Sequence, residues 1–150
     1  MTRILTPAEQ ATLTATVGRI VPAHDTLPSA GELGVTAMLE TALAQVAPLR
    51  RTFLEGVRAI TFASGDQEFS AHSADEQDAI LRMIESAHPA FFTLLIEHTY
   101  RAYYALPVVQ RALGLSGEPP QPRGYQLPPF DPALLTLQRQ RTPFWRRTNE

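Results

Sequence analysis

The sequence predicts an all-α protein, a single-domain bundle of five or six helices followed by a proline-rich, extended C-terminal strap. Three observations carry this reading. Apolar residues recur with helical spacing through most of the chain. Three Ser/Thr-x-x-Glu boxes, a signature of helix starts, punctuate it. Strands would show apolar–polar alternation, and none is present. At 150 residues, 44% hydrophobic and 19% charged, the chain is large enough to bury a real core.

The elements follow in order. Thr6 caps a first helix with Pro7 at its first position and Glu9 at its third; Leu13, Val17, Ile20 and Val21 mark its apolar face, and Pro22 stops it. Ser29 and Glu32 form a second box, which predicts a helix starting there with Val35, Met38, Leu39, Ala42, Leu43 and Val46 on one face. A third helix starts near Pro48, carries Phe53, Leu54, Val57 and Ile60, and weakens or ends at Ser64-Gly65. The Ser73/Glu76 box opens a fourth, with Ile80, Met83, Ile84 and Ala87 apolar. Pro89 suits the first turn of a fifth helix running to about Ala105, and one or two turns from Pro107 close at Gly114. Asp131-Pro132 starts a short helix with Leu134, Leu135 and Leu137. Residues 1–125 are read as the helical domain, and residues 126–150 as an extension ending in an Arg/Trp tail.

Composition excludes several classes of function. A net charge of −2 gives no reason to expect nucleic acid as a partner. With no cysteine there is no disulfide, thiolate nucleophile or cysteine metal site. All thirteen basic residues are arginine, so no lysine Schiff base or lysine general base is available. No stretch reaches 18 apolar residues, so no membrane span is expected. Residues 1–6 lack the charged-then-apolar pattern of a signal peptide.

Catalytic motifs are missing. There is no nucleophile elbow, phosphate loop or Gly-x-Gly-x-x-Gly turn after a strand. Glu85 and His88 have the spacing of helical diiron ligands, but that site needs the motif twice and two further glutamates. His24 and His72 fall in loops, and adjacent Glu97 and His98 point apart on a helix. No catalytic, cofactor-binding or metal-binding residue is assigned to this chain. Glu9, Glu32, Asp75 and Glu76 are read as helix-start residues that satisfy free N–H groups.

The stretch from Pro89 to Tyr125 stands out. Five aromatics (Phe91, Phe92, Tyr100, Tyr103, Tyr104) lie within fourteen residues, before a strap at 113–125 that holds Pro119, Pro120 and Pro122. Phe92, Leu95, Ile96, Thr99 and Tyr103 read as the core stripe, with Phe91, Tyr100 and Tyr104 on its flanks. Tyrosine, tryptophan and arginine dominate binding hot spots, and proline-rich segments lose little entropy on docking. The candidate partner-binding residues are therefore Tyr100, Arg101, Tyr104, Pro119, Pro120, Tyr125, Phe144, Trp145 and Arg146.

These pieces, in their order, resemble the gluconate 2-dehydrogenase subunit 3 family over roughly residues 6–125. They are Arg19-Ile-Val-Pro22 with Asp25, the glycines of 31–35, and Phe69 leading into 73–77 with Ile80-Leu81. Phe91-Phe92, Thr99-Tyr100, Tyr103-Tyr104, Leu113-Gly114, Gly117 and Gly124-Tyr125 complete the set. The resemblance implies a non-catalytic small subunit. Its partner would be a large, FAD-bearing dehydrogenase subunit of the GMC type, acting on a sugar, sugar acid or related alcohol. It implies that the small subunit binds that partner and supports its maturation, stability or export. Members of the family often carry a twin-arginine export signal, and this sequence departs from them there. As written the chain is expected in the cytoplasm, or in the periplasm if co-exported with a partner or trimmed of a leader.

The residues leave two other readings open. One is a stand-alone helical enzyme or ligand-binding protein with a pocket edged by His98, Tyr100, Arg101 and Tyr103. The other is a diverged scaffold that has lost its dehydrogenase partner.

Overall fold

A computed structural model describes residues 4–115 and 129–141 of the chain, which divides into two units, Met1–Pro119 and Pro120–Glu150. The first unit is a bundle of six helices. These are α1 (Pro7–Ile20), α2 (Val35–Ala44), α3 (Ala47–Ala63), α4 (Ala74–Ala87), α5 (Pro89–Tyr104) and α6 (Pro107–Ala112). A 3₁₀ turn, Phe69–Ala71, lies before α4. Among the described residues there is no strand, only an isolated bridge between His24 and Leu27. No single described helix is long and apolar enough to cross a membrane.

The core draws on every helix of this unit. Leu13 and Val17 of α1, Leu39 and Leu43 of α2, and Phe53, Val57 and Ile60 of α3 are buried. Leu81 and Ile84 of α4, Phe91, Leu95 and Tyr103 of α5, and Val109 of α6 join them. α1 packs on α2 and α3, α5 packs on α2, α3 and α4, and α3 packs on α4. Phe69, which lies in the predicted connection, is also buried, so the 3₁₀ turn is part of the core.

Helix ends behave as their local chemistry dictates. Both halves of the capping box form at Thr6/Glu9 and at Ser73/Glu76. α3 ends at Ser64-Gly65 with Gly65 at φ 68°. α6 ends in a Schellman closure, with Leu115 N–H on Gln110 O, Gly114 N–H on Arg111 O and Gly114 at φ 80°.

The second box requires a correction. Ser29 and Glu32 make the reciprocal bonds of a helix start: the Ser29 N–H donates to Glu32 Oε2 at 2.8 Å and the Glu32 N–H to Ser29 Oγ at 3.3 Å. Yet α2 begins only at Val35. Gly34, at φ 72°, stops the new turn at once: Val35 N–H bonds Ala30 O and Gly34 N–H bonds Gly31 O. One helical turn is thus capped at both ends, and α2 restarts beyond it. Gly31 lets this turn press against α1, since a Cβ there would lie 2.6 Å from the Thr14 carbonyl oxygen.

Three predicted faces are rotated. On α2, Val35, Thr36, Leu39, Glu40 and Leu43 are buried, whereas Met38 and Ala42 are exposed and Val46 caps α3 instead. The cause is Glu40, whose Oε1 accepts the N–H groups of Ile4 at 2.7 Å and Leu5 at 3.0 Å, while Oε2 accepts from Gln10 Nε2 at 3.2 Å. A carboxylate that anchors the incoming chain belongs inside, and it turns the helix with it. On α4, Leu81 is buried and Met83 and Ala87 are exposed. On α5 the buried set is Phe91, Leu94, Leu95, Thr99 and Tyr103, with Phe92 and Ile96 only half-buried.

Replacing Glu40 by alanine removes the acceptor of two main-chain donors beside buried Leu5. Urea unfolding of Glu40→Ala should show a loss on the order of 2–3 kcal/mol. A loss below about 0.5 kcal/mol would mean that the anchor is not needed.

The cap carboxylates set the acid response. Burial pushes the Glu9 carboxyl up, but the Thr6 N–H, the Arg58 guanidinium at 2.8 Å and the Thr6 hydroxyl outweigh it and hold it below its ordinary 4.5. The Ser29 and Ser73 hydroxyls, then the N–H groups of the same residues, lower Glu32 and Glu76. Desolvation, helped by Arg101 and opposed by Glu97, lowers His98 from 6.5. In each case the unfolded chain binds protons at higher pH than the folded one, so stability falls with falling pH. The decline should begin below pH 6.5 through His98, and continue below 4.5 as pH drops through the lowered carboxylate values. Denaturant midpoints that stay level from neutral pH to below pH 4 would contradict this.

In the second unit a 3₁₀ turn, Pro132–Leu135, runs into α7 (Thr136–Arg139). The Asp131 carboxylate caps it, accepting the Ala133 N–H at 2.9 Å, as the Asp131-Pro132 pair predicts. Leu134 and Leu137 are exposed and Leu135 is partly so.

Candidate partner-docking face

α1, α4 and α5 converge on an open cleft of ≈ 240 Å³. Asp78, Leu81, Arg82 and Glu85 project from α4 at i, i+3, i+4 and i+7, hence from one side of it. From α5 come Phe92, Ile96 and Tyr100 at i, i+4 and i+8, and the last turn of α1 supplies Arg19 and Ile20. The floor is apolar, with Leu81 buried and Ile20, Phe92 and Ile96 half-buried. Charges of both signs form the rim. Arg19 Nε and Nη2 both lie 2.8 Å from Asp78 Oδ1, a clamp between α1 and α4 whose side chains stay about a third exposed. Arg82 and Glu85 are exposed, and Arg82 has no ion-pair partner among the described residues.

The face continues along α5. Tyr100 and Tyr104 are 43% and 49% exposed, one helical turn apart, with ring centroids 6.1 Å from each other. Tyr103 turns the other way. It is buried, its hydroxyl donates to the Pro28 carbonyl at 3.0 Å, and its ring meets Tyr104 edge-on at 5.3 Å. Desolvation and then the neighbouring Tyr104 push the Tyr103 phenol up from 10.0. Arg101 is exposed, and Val108, Leu113 and Leu115 add exposed apolar side chains further along the chain.

Of the sequence-derived candidates, Tyr100, Arg101 and Tyr104 therefore lie on the surface. Pro119, Pro120, Tyr125, Phe144, Trp145 and Arg146 lie outside the described residues, as does the strap from residue 116. Arg19, Asp78, Arg82 and Glu85 were not among the candidates. The i, i+3, i+4, i+7 pattern on α4 is the signal that marks its three charged members.

Several other polar groups are already engaged. Two further depressions, of ≈ 290 and ≈ 410 Å³, border the turn at 29–34. In them Thr14 pairs with Thr36, Ser29 with Glu32, and Gln77 donates to the Phe69 and His72 carbonyls. His72 is a staple between loops, with Nε2 3.0 Å from the Ser64 carbonyl and Nδ1 2.7 Å from Gln67 Nε2. Tyr103, His98 and Arg101 line none of the three depressions. Among the described residues, no three histidine or carboxylate side chains converge as metal ligands would.

What this face offers is binding chemistry. An apolar trough receives hydrophobic side chains, two tyrosines extend it with amphipathic surface, and arginines at its edge present forked donors. The model of the family described as gluconate 2-dehydrogenase subunit 3 matches residues 7–116. No curated protein and no solved structure matches the chain. Arg19, Ile20, Leu81, Phe92 and Tyr100, all on the cleft, fall within the matched span, as does every helix of the bundle. With most of its length so matched, the chain belongs to the gluconate 2-dehydrogenase subunit 3 family.

Proposed function

We propose that this protein is the non-catalytic small subunit of a GMC-type, FAD-dependent dehydrogenase acting on a sugar, sugar acid or related alcohol. It binds the large subunit through the α1/α4/α5 cleft and the Tyr100–Tyr104 ledge, and supports the maturation, stability or export of that subunit. Family membership supplies the complex, since the family is by description a subunit of gluconate 2-dehydrogenase. The observation that carries the mode of action is the exposed tyrosine pair continuing an apolar cleft. Such a surface has the composition of an interface core, and buries a partner's apolar patch when the two meet.

The flavin belongs to the partner on this reading. Dinucleotide sites are built on βαβ units, and the described part of this chain is helical with connecting turns. The small subunit acts by mass action: by binding only the folded large subunit, it shifts that subunit's folding equilibrium toward the assembled state.

Tagged protein purified gently from its native host should bring down a large partner in fixed stoichiometry, and the eluate should show oxidised-flavin absorption bands. A colourless monomer would overturn the proposal and turn attention to the cleft beside Tyr100 as a small-molecule site.

A further inference from the structure

We propose that residues 129–141 form a second docking element, a short helix that enters an apolar groove bordered by carboxylates on the same flavoprotein partner. The inference rests on the subunit reading above but concerns a part of the chain outside the family match, which ends at residue 116.

Three observations support it. First, the segment has its large apolar side chains outside: Phe130 is 67%, Leu134 71% and Leu137 74% exposed, and none of its residues whose burial is described is buried. Leu134 and Leu137 are three residues apart on a helix and so neighbours, with Phe130 just before the cap. Second, the helix start is specified locally, because Pro132 follows the cap and the Asp131 carboxylate takes the Ala133 N–H. A helix this short is marginal in water without a surface to pack on, however well it is capped. An element encoded to start but not to bury anything of its own fits recognition of the helix-in-groove kind.

Third, charge selects the groove. Arg139 and Arg141 are exposed at the C-terminal end, Arg146 and Arg147 follow in sequence, and no acidic residue intervenes between Asp131 and Glu150. A receiving surface with carboxylates at that end complements these charges, and arginine grips a carboxylate bidentately. Tethered to the bundle, the helix adds a second contact at high effective concentration and slows dissociation without enlarging the first interface.

The experiment uses the full chain with the purified large subunit. Leu134→Asp/Leu137→Asp, and separately Arg139→Glu/Arg141→Glu, should each raise Kd about tenfold or more. The arginine pair should also reduce the salt dependence of binding. Thermal midpoints of the isolated variants should match the wild type, because the buried core among the described residues is built from Leu5 to Val109. Unchanged Kd for the leucine variant overturns the inference while leaving the subunit reading intact. Sedimentation of the wild-type chain with vesicles of phosphatidylcholine and phosphatidylserine, lost in the leucine variant whose Kd is unchanged, would assign the segment to a membrane surface and overturn the inference as well. A wild-type chain that captures no flavoprotein defeats the subunit reading, and this one with it.

Discussion

Gly56→Ala should unfold far more easily than the wild type, by about 3 kcal/mol, although the change normally favours a helix. Glycine in a helix interior is less favourable than alanine by about 1 kcal/mol, so an exposed site would gain from the substitution. Gly56 is not exposed. It lies mid-way along α3 on the buried face, where α3 crosses α5. A Cβ there would fall 2.0 Å from Phe91 Cγ and within 2.3 Å of two more ring atoms. Phe91 has nowhere to go: it is 2% exposed and packs against Phe53 with ring centroids 6.0 Å apart. The side chain at 56 must therefore push two helices apart or force a ring off its rotamer. Overpacking of this kind costs about 1–3 kcal/mol and occasionally more.

For a chain of this size the midpoint should drop by about 6–12 °C, at roughly 2–4 °C per kcal/mol. Removing the obstruction should relieve the clash. Phe91→Ala alone costs about 3–5 kcal/mol. In the Gly56→Ala/Phe91→Ala double variant, the new methyl occupies part of the vacated space, so the total should fall well short of the sum. Strict additivity in that cycle, or a stabilised Gly56→Ala, would show that the helices do not meet at this point.

Nothing at Gly56 in the sequence announces that role. A glycine inside an apolar-periodic helix reads as a weak spot, because the close approach that needs it comes from Phe91, 35 residues away. The same division runs through the fold. Helix starts and stops were legible wherever the chemistry is local, at Thr6/Glu9, Ser73/Glu76, Pro89 and Gly114. At Ser29/Glu32 the local signal marks a start but not a long helix, since Gly34, five residues after Ser29, reverses it. Faces were less legible than ends. Hydrophobicity places Met38 and Met83 inside, but Glu40 and Leu81, two residues away and so on nearly opposite sides of their helices, are the ones buried. A periodicity argument assigns every carboxylate to solvent, and so misses the one that holds two main-chain donors across 35 and 36 residues.

The candidate face shows the same pattern. Exposure of Tyr100 and Tyr104 beside a buried Tyr103 follows from a 3.6-residue period and was readable in advance. The cleft beside them was not, because its floor needs α1 and α4 to arrive from elsewhere. The Arg19–Asp78 clamp spans 59 residues, beyond any local pattern.

Adjacent tyrosines on α5 offer the sharpest separation of binding from folding. Tyr100→Asp/Tyr104→Asp places charge on the two rings that face outward, and should leave the isolated bundle within about 1–1.5 kcal/mol of wild type. The loss comes from the Tyr103–Tyr104 edge contact. Binding to the flavoprotein should weaken by about 2 kcal/mol or more, roughly thirtyfold, since desolvated tyrosines carry disproportionate interface energy and a buried carboxylate there has no partner. Tyr103→Phe should do the reverse. It removes the hydrogen bond to Pro28 and should cost about 1 kcal/mol of stability. It leaves the outer face untouched, so Kd should hold within about twofold. Paired calorimetric titrations and unfolding curves on the two variants decide the matter. If Tyr103→Phe impairs binding as much as the outer pair does, α5 acts through its packing. If neither variant alters Kd, the docking face lies elsewhere on the bundle, and the Arg82 side of the cleft becomes the next position to reverse in charge.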